Sequence, residues 1–253
     1  MDIGIQMYSL RDISQNSLEE ALKKVAEIGY KSVEFAGFFG HPAETVKGWL
    51  DKYGLRVSGT HTMPFEFLED FEAAVAYHEI IGNTDVIIPW FDLSTKENID
   101  KFVGIVNDLK PGLAERGIAL HYHNHDFEFL PNKDGLIPYD EITSRTDIML
   151  EIDTYWAFAA FSQTQCSLPS GKKRDPIALL DQFVGRMKFY HLKDGLGGRD
   201  GKPLGMGKAP VKAVWAKAKE LGLYPVVESE TLTPDGPTEA EICFDYIKQE
   251  LYG

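Results

Sequence analysis

The sequence has no uninterrupted apolar run of about 18 residues, so nothing in it reads as a membrane-spanning helix. It holds only two cysteines, Cys166 and Cys243, far apart and without CxxC spacing, which excludes a thiolate zinc site and a disulfide framework. The opening MDIGIQMYSLRD lacks the basic-then-apolar layout of a secretory leader, and the expected location is the cytoplasm. Positive charge is scarce: 26 Lys and Arg face 39 Asp and Glu, a formal net charge of −13, and that field repels a nucleic-acid backbone. The one basic run, Lys172-Lys173-Arg174, reads as a solvated loop that could at most meet a single sugar phosphate. A dinucleotide fingerprint is also missing, because in GLGGRDG, from Gly195, Asp200 stands in the place of the third glycine. That segment reads as a flexible loop near His191 and Lys193, a lid with Gly205 and Gly207 as bends.

What the sequence does have is repetition. Eight β-rich runs begin at Ile3, Ser32, Arg56, Asp85, Ile118, Ile148, Met187 and Pro225, and helix-like segments separate most of them. The first helix is the clearest: Ser17 and Glu20 form a capping box, Leu18, Ala21, Leu22 and Val25 line one face, and Gly29 ends it. Gly54, Gly82, Gly117, Gly185 and Gly222 make similar stops. Asp175-Pro176 reads as an N-cap with proline at the first helical position, and Pro210 as a similar start. Pro111-Gly112 predicts a kink or a break in the segment 96 to 116. No linker or composition shift divides the 253 residues, which fit eight βα units of about 30 residues in a single (β/α)8 TIM barrel, residues 1–253 as one domain. A doubly wound open sheet is the alternative.

In a barrel, alternate residues of each strand point inward, and the active site lies at the strands' C-terminal ends. On run five His121, His123 and His125 share one parity; on run six Glu151 and Asp153; on run seven His191 and Lys193; on run eight Glu228 and Glu230. The intervening Leu120, Tyr122, Leu150, Ile152, Tyr190, Leu192 and Val227 suit the face packed on helices. Four neighbouring strands therefore aim imidazoles and carboxylates at one volume, where unpaired charge is costly and a divalent cation would satisfy them together. His121, deepest in its run, reads as structural. Glu34 and His61, at the ends of runs two and three, suit either substrate hydroxyls or a barrel-end ion pair. Trp156 either stacks on a sugar ring or seals the core, and Trp90 fits the core better.

GYKSVEFAG, YHNHDFEF, LEIDTYW, HLKDG and VVESE together resemble the xylose isomerase-like TIM barrels, the sugar phosphate isomerases/epimerases of the AP endonuclease 2 superfamily, over nearly the whole chain. The resemblance implies one divalent cation, Mn²⁺, Mg²⁺, Zn²⁺ or Co²⁺, with Asp153, His191 and Glu228 as ligands. Where the family carries a Glu on strand five this chain has His123, so the fourth ligand is His123 or Glu151. It also implies an isomerase or epimerase of a sugar or keto-sugar, working by proton abstraction beside a carbonyl and an enediolate. Glu228 would take the proton, Glu151 or His123 would act as the second acid-base, and His125 and Lys193 would orient substrate oxygens, Lys193 being otherwise paired with Asp194 or Glu228. The same enediolate serves dehydration or keto-glycoside cleavage, so a lyase is the alternative, followed by a non-catalytic sugar-binding barrel. An AP endonuclease would need more zinc ligands and a basic DNA face, which the charge of −13 opposes. The stretch FAAFSQTQCSLPSGKKRD after run six is longer than its family counterpart and suits a lid or a homo-oligomer contact.

Overall fold

The structure, a computed structural model, describes residues 1–163 and 175–252. Cys166, the Lys172-Lys173-Arg174 run and most of the long stretch after run six lie outside the described residues. The strands are β1 (Gly4–Gln6), β2 (Ser32–Phe35), β3 (Arg56–His61), β4 (Asp85–Ile88), β5 (Ala119–His123), β6 (Met149–Asp153), β7 (Phe189–Leu192), β8 (Asp194–Gly195), β9 (Gly201–Lys202) and β10 (Tyr224–Val227). Eight of them close a barrel in the order β1-β10-β7-β6-β5-β4-β3-β2, with every pairing parallel. The fold is a single (β/α)8 TIM barrel, and the open sheet is set aside. β8 and β9 pair antiparallel as a small ribbon in the loop after β7.

Local chemistry explains most of the helix ends. Ser17 Oγ accepts the Glu20 N–H at 3.2 Å, and Leu18, Ala21, Leu22 and Val25 are the buried face of Leu18–Ile28. Gly29, Gly54 and Gly82 are left-handed C-caps. Asp175 caps Pro176–Phe183 as expected, its carboxylate accepting the Ala178 N–H at 2.8 Å. Three expectations change. Gly185 lies in a 3-10 turn, Val184–Arg186, so the chain leaves that helix by tightening it and not by a left-handed residue. Pro210 is the N-cap of Val211–Glu220, one position outside the helix. Lys96–Glu115 is one continuous helix with Pro111 inside it, so the expected break does not occur. A Cβ on Gly112 would lie 3.0 Å from the Phe71 ring, so that glycine lets the two helices approach and does not end one.

The barrel sorts side chains as the alternation requires. Leu120, Tyr122, Leu150, Ile152, Tyr190, Leu192 and Val227 join the main core with the helices. Inside the barrel, Ile87, Phe189 and Val226 form a separate apolar plug. His121 belongs to this lower layer: its ring centroid is 4.8 Å from that of Phe189 and its Nε2 is 2.8 Å from Asp85 Oδ1, which also accepts from Lys188. Among the described residues no helix is long and apolar enough to cross a membrane.

Candidate active site

Strand register sets the site. His123 lies beside Glu151, and Asp153 beside His191, so three adjacent strands set these inward side chains against one another. Glu228 follows β10, anchored by its N–H to the Leu192 carbonyl. His123, Asp153, His191 and Glu228 each offer one donor atom within 4.8 Å of the others. His123 Nε2 is 3.6 Å from Asp153 Oδ2, and His191 Nδ1 is 3.8 Å from that oxygen and 3.3 Å from Glu228 Oε2.

The other ring nitrogen of His191 faces a second group. Its Nε2 is 2.8 Å from Glu34 Oε1 and 3.3 Å from Glu151 Oε2, while His61 Nε2 is 3.1 and 2.9 Å from the same two oxygens. Gln6 donates to Glu34 Oε1 at 2.6 Å. Glu34 and Glu151 are fully buried, so Glu34 meets His191, His61 and Gln6 where a contact to substrate hydroxyls was one expectation. Of the two readings of the fourth position, His123 sits in the group with Asp153 and Glu228, and Glu151 in the group with Glu34 and His61.

Burial and charge act in opposite directions here. Burial pulls the His61 imidazole down, but Glu34 and Glu151 outweigh it and hold it up at about 9. His191 is likewise raised, its burial outweighed by Glu151, Glu34 and Glu228. Burial would raise the Glu228 carboxyl, yet Lys193 and His191 hold it well below the usual carboxylate range. Lys193 is buried between acids: Nζ is 3.2 Å from Glu228 Oε2, 2.5 Å from Glu230 Oε1 and 4.6 Å from the Trp156 ring centroid. Asp194 is not its partner. That carboxylate accepts the N–H groups of Gly195, Gly205, Gly207 and Ala209, lacing the loop after β7, and a Cβ on Gly207 would collide with it.

The donors fit a divalent cation. Both ring nitrogens of His123, Asp153 Oδ2 and His191 Nδ1 are buried without a hydrogen-bond partner, and two imidazoles with two carboxylates suit a borderline divalent ion. Neighbours fix their orientation. Asp153 Oδ1 accepts the Trp156 N–H at 2.8 Å, and Asn124 ties β5 to β6 through the Asp153 N–H and carbonyl.

A cavity of about 580 Å³ opens on this group, with His61, His123, His125, Trp156, Glu228 and Glu230 among its walls. Burial pushes the His125 imidazole down to about 3, so it stays neutral, and its backbone N–H donates to Glu128. Trp90 belongs to the rim and not to the core, at 48% exposure. It follows β4, where the chain leaves the barrel and its side chain clears the helices. Sequence reasoning missed Asn124, Glu128, Gln6 and Arg199 as parts of the site. Gln6 ends β1 opposite Glu34, although the sequence run continues past it; Arg199 sits on an irregular loop, where periodicity carries no signal.

The chain belongs to the xylose isomerase-like TIM barrel family, whose model matches residues 22–248. The inosose dehydratase of Clostridium beijerinckii is 26% identical over 203 residues, which is 71% of this chain and 64% of that protein, so the chain spans less than two thirds of that relative's length. A crystal structure of a sugar phosphate isomerase/epimerase from Parabacteroides distasonis matches with a TM-score of 0.79 at 23% identity, over 99% of this chain and 98% of its own. The probable 3-DHS dehydratase of Bacillus anthracis matches with a TM-score of 0.75 at 11% identity, over 99% and 100%. At such identities the structural likeness establishes the fold.

Proposed function

We propose that this protein is a divalent-metal-dependent isomerase or epimerase of a sugar or keto-sugar, working by proton abstraction beside a carbonyl. The observation that carries the reading is the group of His123, Asp153, His191 and Glu228, the first three with partnerless buried donor atoms, beside an open cavity. These four would hold the cation, which when bound supplies Lewis acidity toward a substrate carbonyl.

The chain's own residues do the rest. Glu228, kept ionised by Lys193 and His191, receives the proton, a contribution of about 10² to 10⁴ in rate. Lys193, charged and clamped by Glu228 and Glu230, presents its ammonium to a substrate oxygen. His125, neutral and lining the cavity, exchanges a hydrogen bond with a hydroxyl on the facing side. Trp156 gives an apolar wall for a sugar ring.

A lyase is the second reading. Glu228 and Glu230 reach the cavity from one end of one strand, while His61, held protonated by Glu34 and Glu151, faces it from the end of β3. That pairing suits proton removal at one carbon and protonation of a departing oxygen at the next. The two dehydratases among the similar proteins are in keeping with it.

The test is calorimetric titration of metal-stripped protein with Mn²⁺ and Zn²⁺, beside turnover assays. One site per chain is expected, with Asp153→Ala and Glu228→Ala each losing metal binding and metal-dependent turnover. Full activity in either variant would sink the assignment.

A further inference from the structure

We propose that the active-site cavity continues into a second subsite that holds a second pyranose ring, so that the preferred substrate is an uncharged glycoside and not a phosphorylated monosaccharide. This rests on the proposed function, since the first ring is placed over the group at His123, Asp153, His191 and Glu228.

A second cavity, of about 480 Å³, adjoins the first, and the two share Trp90, Phe127 and Arg199 as common walls. Each volume lies within the range of small-molecule sites, so the pair offers more room than one six-membered ring fills. The shared wall has the composition that recognises sugar. Trp90 is 48% exposed at the junction, a large apolar face that folding leaves uncovered. Phe127 is held at a fixed tilt, its ring 17° from the His125 plane with centroids 5.8 Å apart. Aromatic faces of this kind take up the C–H face of a pyranose, leaving its hydroxyls to donors at the edge. Arg199 is such a donor, and it makes no ion pair among the described residues. Its loop is fixed rather than loose: Tyr155 Oη donates to the Gly198 carbonyl at 2.8 Å and accepts the Gly197 N–H at 3.3 Å.

Charge argues against a phosphate in the first cavity. Glu66, Asp126, Glu228 and Glu230 line it, with Arg199 the one Arg or Lys among the described residues of its wall, and the second cavity adds Lys133 with Asp92 beside it. A dianion there would meet repulsion from several carboxylates in a low-dielectric cleft. An uncharged second ring meets none of this.

The experiment is equilibrium binding to the metal-loaded full chain by calorimetry, using D-glucose, D-galactose and D-mannose, disaccharides built from each, phenyl β-D-glucoside and D-glucose 6-phosphate. At least one disaccharide is expected to bind about tenfold or more tightly than its parent hexose, and Trp90→Ala and Arg199→Ala are each expected to bring that ratio toward one. The proposal is overturned if no disaccharide outdoes its hexose, or if both variants leave the ratio unchanged. It is also overturned if glucose 6-phosphate binds most tightly, or if the phenyl glucoside matches the best disaccharide and ignores Arg199→Ala. Solvent deuterium exchange into the bound sugar's keto form separates the two claims. Selective disaccharide binding without exchange in any keto-sugar would retire the reaction and leave the subsite standing.

Discussion

His191 carries two jobs on one ring. Its Nδ1 faces Asp153 and Glu228, and its Nε2 faces Glu34, so a carboxylate fixes the ring's rotation and directs the free nitrogen at the candidate ion. Glu34→Gln keeps the volume but weakens that hold, and it should lower metal affinity about 10- to 100-fold in a competition titration against a chelating dye. Unchanged affinity would contradict this role for Glu34. The inward positions of Asp153, His191 and Glu228 were legible in the sequence because a strand's period of two puts them on one face. Which of Glu34, His61 and Glu151 meets substrate was not legible, since depth along the barrel axis depends on register between strands. Register places Glu34 opposite Gln6 and lets His61 bridge it to Glu151. His123 shows the same limit: its place where the family keeps a Glu left it and Glu151 as alternatives, and in the structure His123 groups with Asp153 and Glu228 while Glu151 groups with Glu34 and His61.

At the scale of elements, the buried parallel strands were the plainest part of the sequence, short apolar runs bounded by turn residues. SVEF and RVSGTH match β2 and β3 residue for residue. Pro111 does not break its helix, because proline's local cost can be outweighed by burial along a long helix. Ile99, Phe102, Val103, Val106, Leu109 and Leu113 are buried on one side of Lys96–Glu115, and they hold the helix through the missing hydrogen bond to Asn107. Pro111 itself is exposed, so Pro111→Ala should stabilise the protein by about 1 to 3 kcal/mol, read as a higher urea midpoint. A lower midpoint would mean that the proline relieves some strain in that helix. The loop after β7 fits the expectation of a segment built on Gly205 and Gly207 in a different sense from a free lid, because Asp194 laces it through four backbone N–H groups.

At the scale of the molecule, a net charge of −13 surrounds a barrel mouth in which Glu34, Asp153 and Glu228 are held below the usual carboxylate range, while burial raises Glu230 and, most of all, Glu128. Burial pushes its carboxyl up to about 8, against hydrogen bonds from Tyr122 and the His125 N–H that favour the charged form. An unfolded Glu titrates near 4.5, so the folded state holds this proton longer. Its contribution to stability is fully present below 4.5, falls as pH rises, and levels off above about 8, a total on the order of 5 kcal/mol. Glu128→Gln should therefore gain stability relative to the parent as pH rises across that window, in paired denaturant titrations. A pH-independent difference would place the Glu128 carboxyl elsewhere. Above all of these stands the reaction itself. Metal-stripped protein should be given a panel of ketoses, keto-glycosides and inositol ketones in D₂O, with Mg²⁺, Mn²⁺, Zn²⁺ or Co²⁺ added in turn, and the recovered sugars analysed by mass spectrometry and NMR. The account predicts deuterium at one carbon beside the carbonyl only when metal is present, and none with Asp153→Ala or Glu228→Ala. Binding of these compounds without exchange under any metal would contradict it and leave a sugar-binding barrel.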